Sequence, residues 1–186
     1  DRADFKAVIA IHSTALGPAA GGIRMWQYEH EMDAIEDALR LARGMTYKYA
    51  AAGVNMGGGK AVVIADPARR DREVVFRTLG RFINRLGGKF YTGEDVGTTL
   101  EDMAYLFMET PFVITLPQYL GGVGPISPLT AFGVVQGMRA CAKTVFGSDD
   151  LKDRIIAVQG VGSVGSSLVE QLCDLGAQIV ITDIDA

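Results

Sequence analysis

The chain has 186 residues, 48% hydrophobic and 22% charged, which excludes disorder and low complexity and leaves one large or two small domains. Its net charge of −4 argues against a nucleic-acid grip, which needs a basic face. No apolar run approaches the ~18 residues of a membrane span, and Cys141 and Cys173 make no metal or redox spacing, so a soluble protein of a reducing cytoplasm is expected. The opening Asp1-Arg2-Ala3-Asp4 is read as neither a signal peptide nor an initiator segment.

In chain order, residues 5–12 form a β-rich run and are expected as a strand. Residues 32–51 repeat apolar side chains at helical steps (Ile35, Ala38, Leu39, Ala42, Met45, Tyr49). A buried strand follows at 61–65, ended by Asp66-Pro67. Val75, Leu79, Phe82, Ile83 and Leu86 mark one face of the next helix, stopped by Gly87-Gly88. Residues 90–92 read as a strand, Thr99-Leu-Glu-Asp102 as a capping box opening a helix to about residue 109, and 112–116 as a further strand.

The Gly/Pro connector at 121–127 is the candidate domain boundary. Beyond it a helix runs from Ser127-Pro128 to about residue 146, then come a strand at 155–159, a helix at 163–175 and a strand at 179–182. That closing β-α-β is the first part of a parallel, doubly wound nucleotide domain. The expected fold is therefore α/β, with one unit at 1–122 and a second, Rossmann-type unit at 123–186.

The 23 glycines are clustered, at Gly21-Gly22, Gly57-Gly58-Gly59, Gly121-Gly122-Val123-Gly124 and the run 160–165. Each cluster is read as a place where the backbone turns tightly or approaches a ligand. Gly160-Val161-Gly162-Ser163-Val164-Gly165 follows a strand and opens a helix, and Asp183 stands 23 residues after Gly160, close to the ~20 expected of a ribose-binding acid. Dinucleotide binding is preferred over an ordinary glycine-rich turn, and the acid favours NAD over NADP by repelling a 2′-phosphate.

Two lysines and a carboxylate have chemical potential. Lys48 lies three positions after Met45, so it is assigned to the apolar face; it either binds a ligand or snorkels to water. Lys60 follows three glycines and enters a buried strand, where desolvation can turn an amine into a base; a phosphate contact or a plain turn is the alternative. A Walker loop is disfavoured because Ala61 follows the lysine. Asp95 stands just past a strand end, either as an acid–base group or as an Asx turn or helix cap. His12 and His30 lack metal-type partners, so no metal site is expected, and Glu36, Asp37, Arg40 and Arg43 read as a solvated helix face.

The segments 13–22, 44–48, 57–60, 94–98 and 160–165 occur together in this order in one family, and the chain resembles the Glu/Leu/Phe/Val amino-acid dehydrogenases, in particular their leucine, phenylalanine and valine branch. The resemblance implies NAD-dependent, reversible oxidative deamination of an apolar L-amino acid (phenylalanine, leucine, valine or isoleucine) to its 2-oxo acid and ammonium. It assigns the substrate carboxylate to Lys48, water activation to Lys60 and proton exchange with the substrate nitrogen to Asp95. Ala20, Gly21, Met45 and Gly93 would surround the substrate side chain, and Thr130 would contact the nicotinamide amide. Gly160, Gly162, Ser163, Val164, Gly165 and Asp183 would hold the rest of the cofactor.

The resemblance also implies an active site between the two domains, a homo-oligomer, and a longer enzyme that begins before residue 1 and continues past Ala186. No cation stands at the side-chain positions to meet a second carboxylate, so glutamate is not expected as substrate. Small residues at Ala20 and Gly93, where branched-chain enzymes carry larger ones, suggest extra room and favour phenylalanine. A dehydrogenase for another aromatic amino acid such as tryptophan is one alternative, and a non-catalytic dinucleotide-binding module is the other.

Overall fold

The computed structural model describes residues 4–184, so positions 1–3 of the opening segment lie outside the described residues. The chain divides into two compact units, 1–124 and 125–186.

The first unit is built on a four-stranded mixed sheet of β1 (Lys6–Ser13), β2 (Ala19–Trp26), β3 (Gly57–Ile64) and β4 (Phe90–Glu94), in the order β1-β3-β2-β4. β1 runs antiparallel to β3, whereas β2 is parallel to both β3 and β4. One face is covered by α1 (Glu31–Ala51), whose buried stripe is Ala34, Ala38 and Ala42 packed on Ala10 and Val62. Methyl-sized side chains let this helix lie close to the sheet. The other face carries α2 (Arg72–Arg85) and α3 (Leu100–Phe107) over a larger core that includes Ile23, Met25, Val63, Phe76, Leu79, Phe90, Met103 and Leu106. Leu39 and Phe82, expected on buried faces, are instead exposed, because each helix buries a narrower stripe than its apolar repeat suggests.

Strand β2 was not expected, and β3 begins four residues before the expected start. Both contain glycine clusters that were expected as tight turns or ligand approaches and instead lie within strands. These glycines are strand residues with no room for a Cβ. At Gly58 it would overlap the Ala42 carbonyl and Thr46 amide of α1, and at Gly59 it would lie 2.7 Å from the Phe90 ring. The glycines allow a helix and a neighbouring strand to approach the sheet closely. The expected strand at 112–116 reduces to one parallel bridge, Thr92 to Val113, at the outer edge of β4.

Thr99 caps α3 as expected: its hydroxyl accepts from the Asp102 amide, and the Asp102 carboxylate accepts from the Thr99 amide at 2.7 Å. Asp102 is only 1% exposed and is matched by the two-armed Arg72 guanidinium, with Nε to Oδ1 at 2.8 Å and Nη2 to Oδ2 at 2.5 Å. Arg72 also donates to the carbonyls of Pro67 and Gly97, so one cation joins the loops flanking α2 and α3.

The second unit consists of α4 (Ser127–Phe146), β5 (Ile155–Gln159), α5 (Ser163–Asp174) and β6 (Gln178–Thr182). β5 and β6 are parallel with Ile155 opposite Gln178 and Gln159 opposite Thr182, joined by α5. Val135, Ala142, Leu151, Val158 and Leu172 form its core. This is the β-α-β of a Rossmann-type nucleotide fold, built around its glycine-rich turn. No helix among the described residues is long and apolar enough to cross a membrane.

Candidate active site

Side chains alternate across a strand, so Val62 places Lys60 on the α1 face of β3, with Gly58 below it. Lys60 is 5% exposed. Its Nζ lies 2.9 Å from Oδ2 of Asp95, which follows the end of β4. The position of Asp95 requires Gly22 in β2, since a Cβ there would lie 2.8 Å from the Asp95 Cβ. Glycine therefore lets β2 run beneath the ion pair. The pairing of β2 with β3 also lapses between Ala20–Gly58 and Ile23–Ala61, beside Lys60, and resumes in the same register.

Burial pushes the Lys60 amine below the usual lysine range, and the neighbouring Arg24 cation adds to that effect; Asp95 and the more distant Asp37 only partly oppose it. Burial alone would raise the Asp95 carboxyl, but Lys60 and Arg24 outweigh it and hold the group below the ordinary carboxylate range. The result is an ionised Asp95 beside an amine that loses its proton more readily than a free lysine. Among the described residues both ion pairs of Asp95 use Oδ2, which leaves Oδ1 for another donor. Asp95 is not the cap of α3, which is Thr99; it opens a turn in which the Thr98 amide donates to its carbonyl at 3.1 Å.

Asp37 is not part of a solvated face. It accepts from Arg24 Nη1 at 2.9 Å and from the Tyr28 hydroxyl at 2.6 Å, and is only half-exposed to solvent. Arg24 in turn reaches Asp95 through Nε at 3.1 Å. Sequence reasoning missed Arg24 and Tyr28 because β2 was not recognised; once it is, alternation from the buried Ile23 and Met25 puts Arg24 on the α1 face. The expected Glu36–Arg40 surface pair is present at 3.2 Å.

Lys48, expected on the apolar face with its amine either at a ligand or in water, is exposed. It follows Ala42 by six residues, about 240° further around the helix at 3.6 residues per turn, and so leaves the buried stripe. Among the described residues its ammonium has no ion-pair partner. Of the expected side-chain pocket, Ala20 and Gly21 are buried in β2, Gly93 is buried in β4 opposite Gly22, and Met45 of α1 is half-buried against Gly21.

The free space expected at Gly93 is absent. A Cβ there would lie 2.7 Å from the Thr115 hydroxyl, which accepts from the Glu94 amide at 2.7 Å. Gly93→Ala must displace Thr115, so a stability loss of ~1–3 kcal/mol is expected from chemical unfolding, as for other overpacked sites. An unfolding midpoint unchanged from the wild type would show that Thr115 moves aside without cost.

In the second unit, Gly160 has a φ of +88°, which only glycine adopts freely, and a Cβ at Gly165 would overlap the Gly160 carbonyl. The Gly162 position is open, and the first turn of α5 has no side-chain cap, so the amides of Ser163, Val164 and Gly165 form an uncapped helix N-terminus. Asp183 folds back on the turn, its Oδ2 accepting from the Val161 amide at 2.6 Å. These features fit a dinucleotide. Thr130 is exposed in the first turn of α4, its hydroxyl donating to the Ile126 carbonyl at 3.0 Å.

An α/β domain in which a buried lysine pairs with a half-buried aspartate, followed by a glycine-turn nucleotide fold, defines the class. Residues 2–112 match the family model of the Glu/Leu/Phe/Val dehydrogenase dimerisation domain. The chain is 54% identical over 181 residues to leucine dehydrogenase of Geobacillus stearothermophilus, covering 97% of this chain and 49% of that protein. It is 51% identical to phenylalanine dehydrogenase of Caldalkalibacillus thermarum, again covering 97% and 49%. A crystal structure of L-tryptophan dehydrogenase from Nostoc punctiforme superposes with a TM-score of 0.70 at 42% identity, covering 98% of this chain and 51% of that one. The chain belongs to the Glu/Leu/Phe/Val dehydrogenase family. It spans about half the length of the curated relatives it matches.

Proposed function

We propose that the full-length protein catalyses the NAD-dependent, reversible oxidative deamination of an apolar L-amino acid to its 2-oxo acid and ammonium. The observation that carries this reading is the pair of buried Lys60 and half-buried Asp95, an amine held below the usual lysine range beside an ionised carboxylate whose ion pairs among the described residues both use Oδ2. Lys60 takes a proton from the attacking water. Asp95, through Oδ1, exchanges a proton with the substrate nitrogen. Lys48, a cation with no ion-pair partner among the described residues, holds the substrate carboxylate as a point charge.

Ala20, Gly21, Met45 and Gly93 present no charge to the substrate side chain, which excludes a second carboxylate. Identities to leucine and phenylalanine dehydrogenases support the same class. The dinucleotide is held at Gly160, Gly162, Gly165 and the amides of Ser163 and Val164, with Asp183 at the ribose and Thr130 at the amide. When bound, NAD supplies the hydride acceptor. The enzyme works as a homo-oligomer in the cytoplasm, supported by the match to a dimerisation domain and by two free cysteines.

The test is NADH formation at 340 nm by the full-length protein over a panel of leucine, valine, isoleucine, phenylalanine, tryptophan and glutamate. Turnover of the branched-chain or phenylalanine substrates is expected. Preference for tryptophan would move the substrate assignment, and no turnover with any of them would overturn the reading. In the same assay NAD should be preferred over NADP, and Asp183→Ser should narrow the gap. A preference for NADP in the unmutated protein would contradict the role given to Asp183.

A further inference from the structure

Arg24 lies in none of the roles assigned above, yet its guanidinium occupies the space between two carboxylates. Nε reaches Asp95 Oδ2 at 3.1 Å, and Nη1 reaches Asp37 Oδ2 at 2.9 Å. Tyr28 fixes Asp37 from the far side at 2.6 Å, and its hydroxyl is held as a donor: burial and Asp37 push its pKa up to about 12. Each of the four groups comes from a different segment: Arg24 from β2, Tyr28 from the β2–α1 loop, Asp37 from α1, and Asp95 from the end of β4. Arg24, Trp26, Tyr28, Asp37 and Val96 line a cavity of about 430 Å³, so the outer end of this chain of contacts adjoins open space and the inner end is Lys60. Arg24 and Lys60 bind the same oxygen of Asp95.

We propose that Arg24 is a positioning residue, oriented by Asp37 and Tyr28, that shares Asp95 Oδ2 with Lys60 and thereby limits how tightly that carboxylate holds the lysine. This rests on the reading of Lys60 as the base. Without Arg24, Asp95 would belong to Lys60 alone and would stabilise its ammonium. Without the charge of Asp37, Arg24 would bind Asp95 more closely and the lysine would lose part of its counter-ion. The charged groups acting on Lys60 are Asp95, Arg24 and Asp37, and their effects have the signs this geometry requires: the two carboxylates raise its pKa, the guanidinium lowers it.

The two changes therefore act in opposite directions, whereas simple structural damage would not. In the full-length protein, Arg24→Gln should move the acidic limb of the kcat/KM profile for leucine upward by about one pH unit, and Asp37→Asn should move it downward by a smaller amount. Arg24→Lys, which keeps the charge but cannot span both carboxylates, should leave the limb near its original position and lower kcat. NMR titration of the Lys60 13Cε resonance measures the same shifts without turnover, and circular dichroism confirms that each variant is folded. Opposite shifts in both measurements support the proposal. Unshifted limbs and resonances in folded variants, or shifts of the same sign, overturn it. If the Lys60 resonance follows the predicted signs but the unmutated protein shows no turnover, the reading of the reaction fails and the electrostatic coupling stands.

Discussion

Lys60→Ala in the full-length protein should lower turnover at least ~10²-fold, the usual contribution of a positioned general base. The mutation removes the amine proposed to accept a proton from water and also leaves Asp95 paired only with Arg24. The nucleotide turn lies in the other unit, so the dissociation constant for NADH, measured by fluorescence, should change little. Lys60→Arg should not restore turnover, because a guanidinium remains charged throughout the working pH range. Near-normal turnover of Lys60→Ala would sink the assignment of the base. An equal loss of NADH binding would point to a folding defect.

Arg72→Met is expected to have the largest effect on stability. Asp102 is almost fully buried, and Arg72 supplies two of its hydrogen bonds while also tying down the Pro67 and Gly97 carbonyls. Removing one partner of such a pair leaves an uncompensated buried charge, a loss of ~3–5 kcal/mol. The urea midpoint should drop with little change in slope. Adding Asp102→Leu should recover part of the loss by removing the orphaned charge, but not all of it, since Asp102 also caps α3. A single-mutant loss below ~1 kcal/mol would show that water reaches Asp102 easily after Arg72 is removed.

The amino-acid sequence by itself determined the elements whose signals are local. Periodicity marked α1 and α2, Thr99 and Asp102 marked the start of α3 with a capping box, and the glycine turn between two apolar strands marked β5-α5-β6. The motif order also identified the family that residues 2–112 match. Each of these depends on residues close together in the chain, or on a fixed pattern of them.

Tertiary structure alone decided the rest. β2 and the start of β3 escaped notice because glycine clusters usually mark turns, whereas here they clear space for α1, Phe90 and Asp95, which are distant in sequence. The exposure of Lys48 and the lack of room beside Gly93 escaped notice for related reasons. Helix phase relative to the sheet decides which α1 residues are buried, and Thr115, 22 positions further on, fills the space beside Gly93. The Arg24–Asp37–Tyr28 contacts were invisible because charged residues on a helix and a strand look solvated until the sheet order is known. Placing β2 between β3 and β4 brings Arg24 to Asp95, so that two cations share one carboxylate oxygen. Local residue patterns specify secondary structure; competition for a shared oxygen depends on distances that only packing sets.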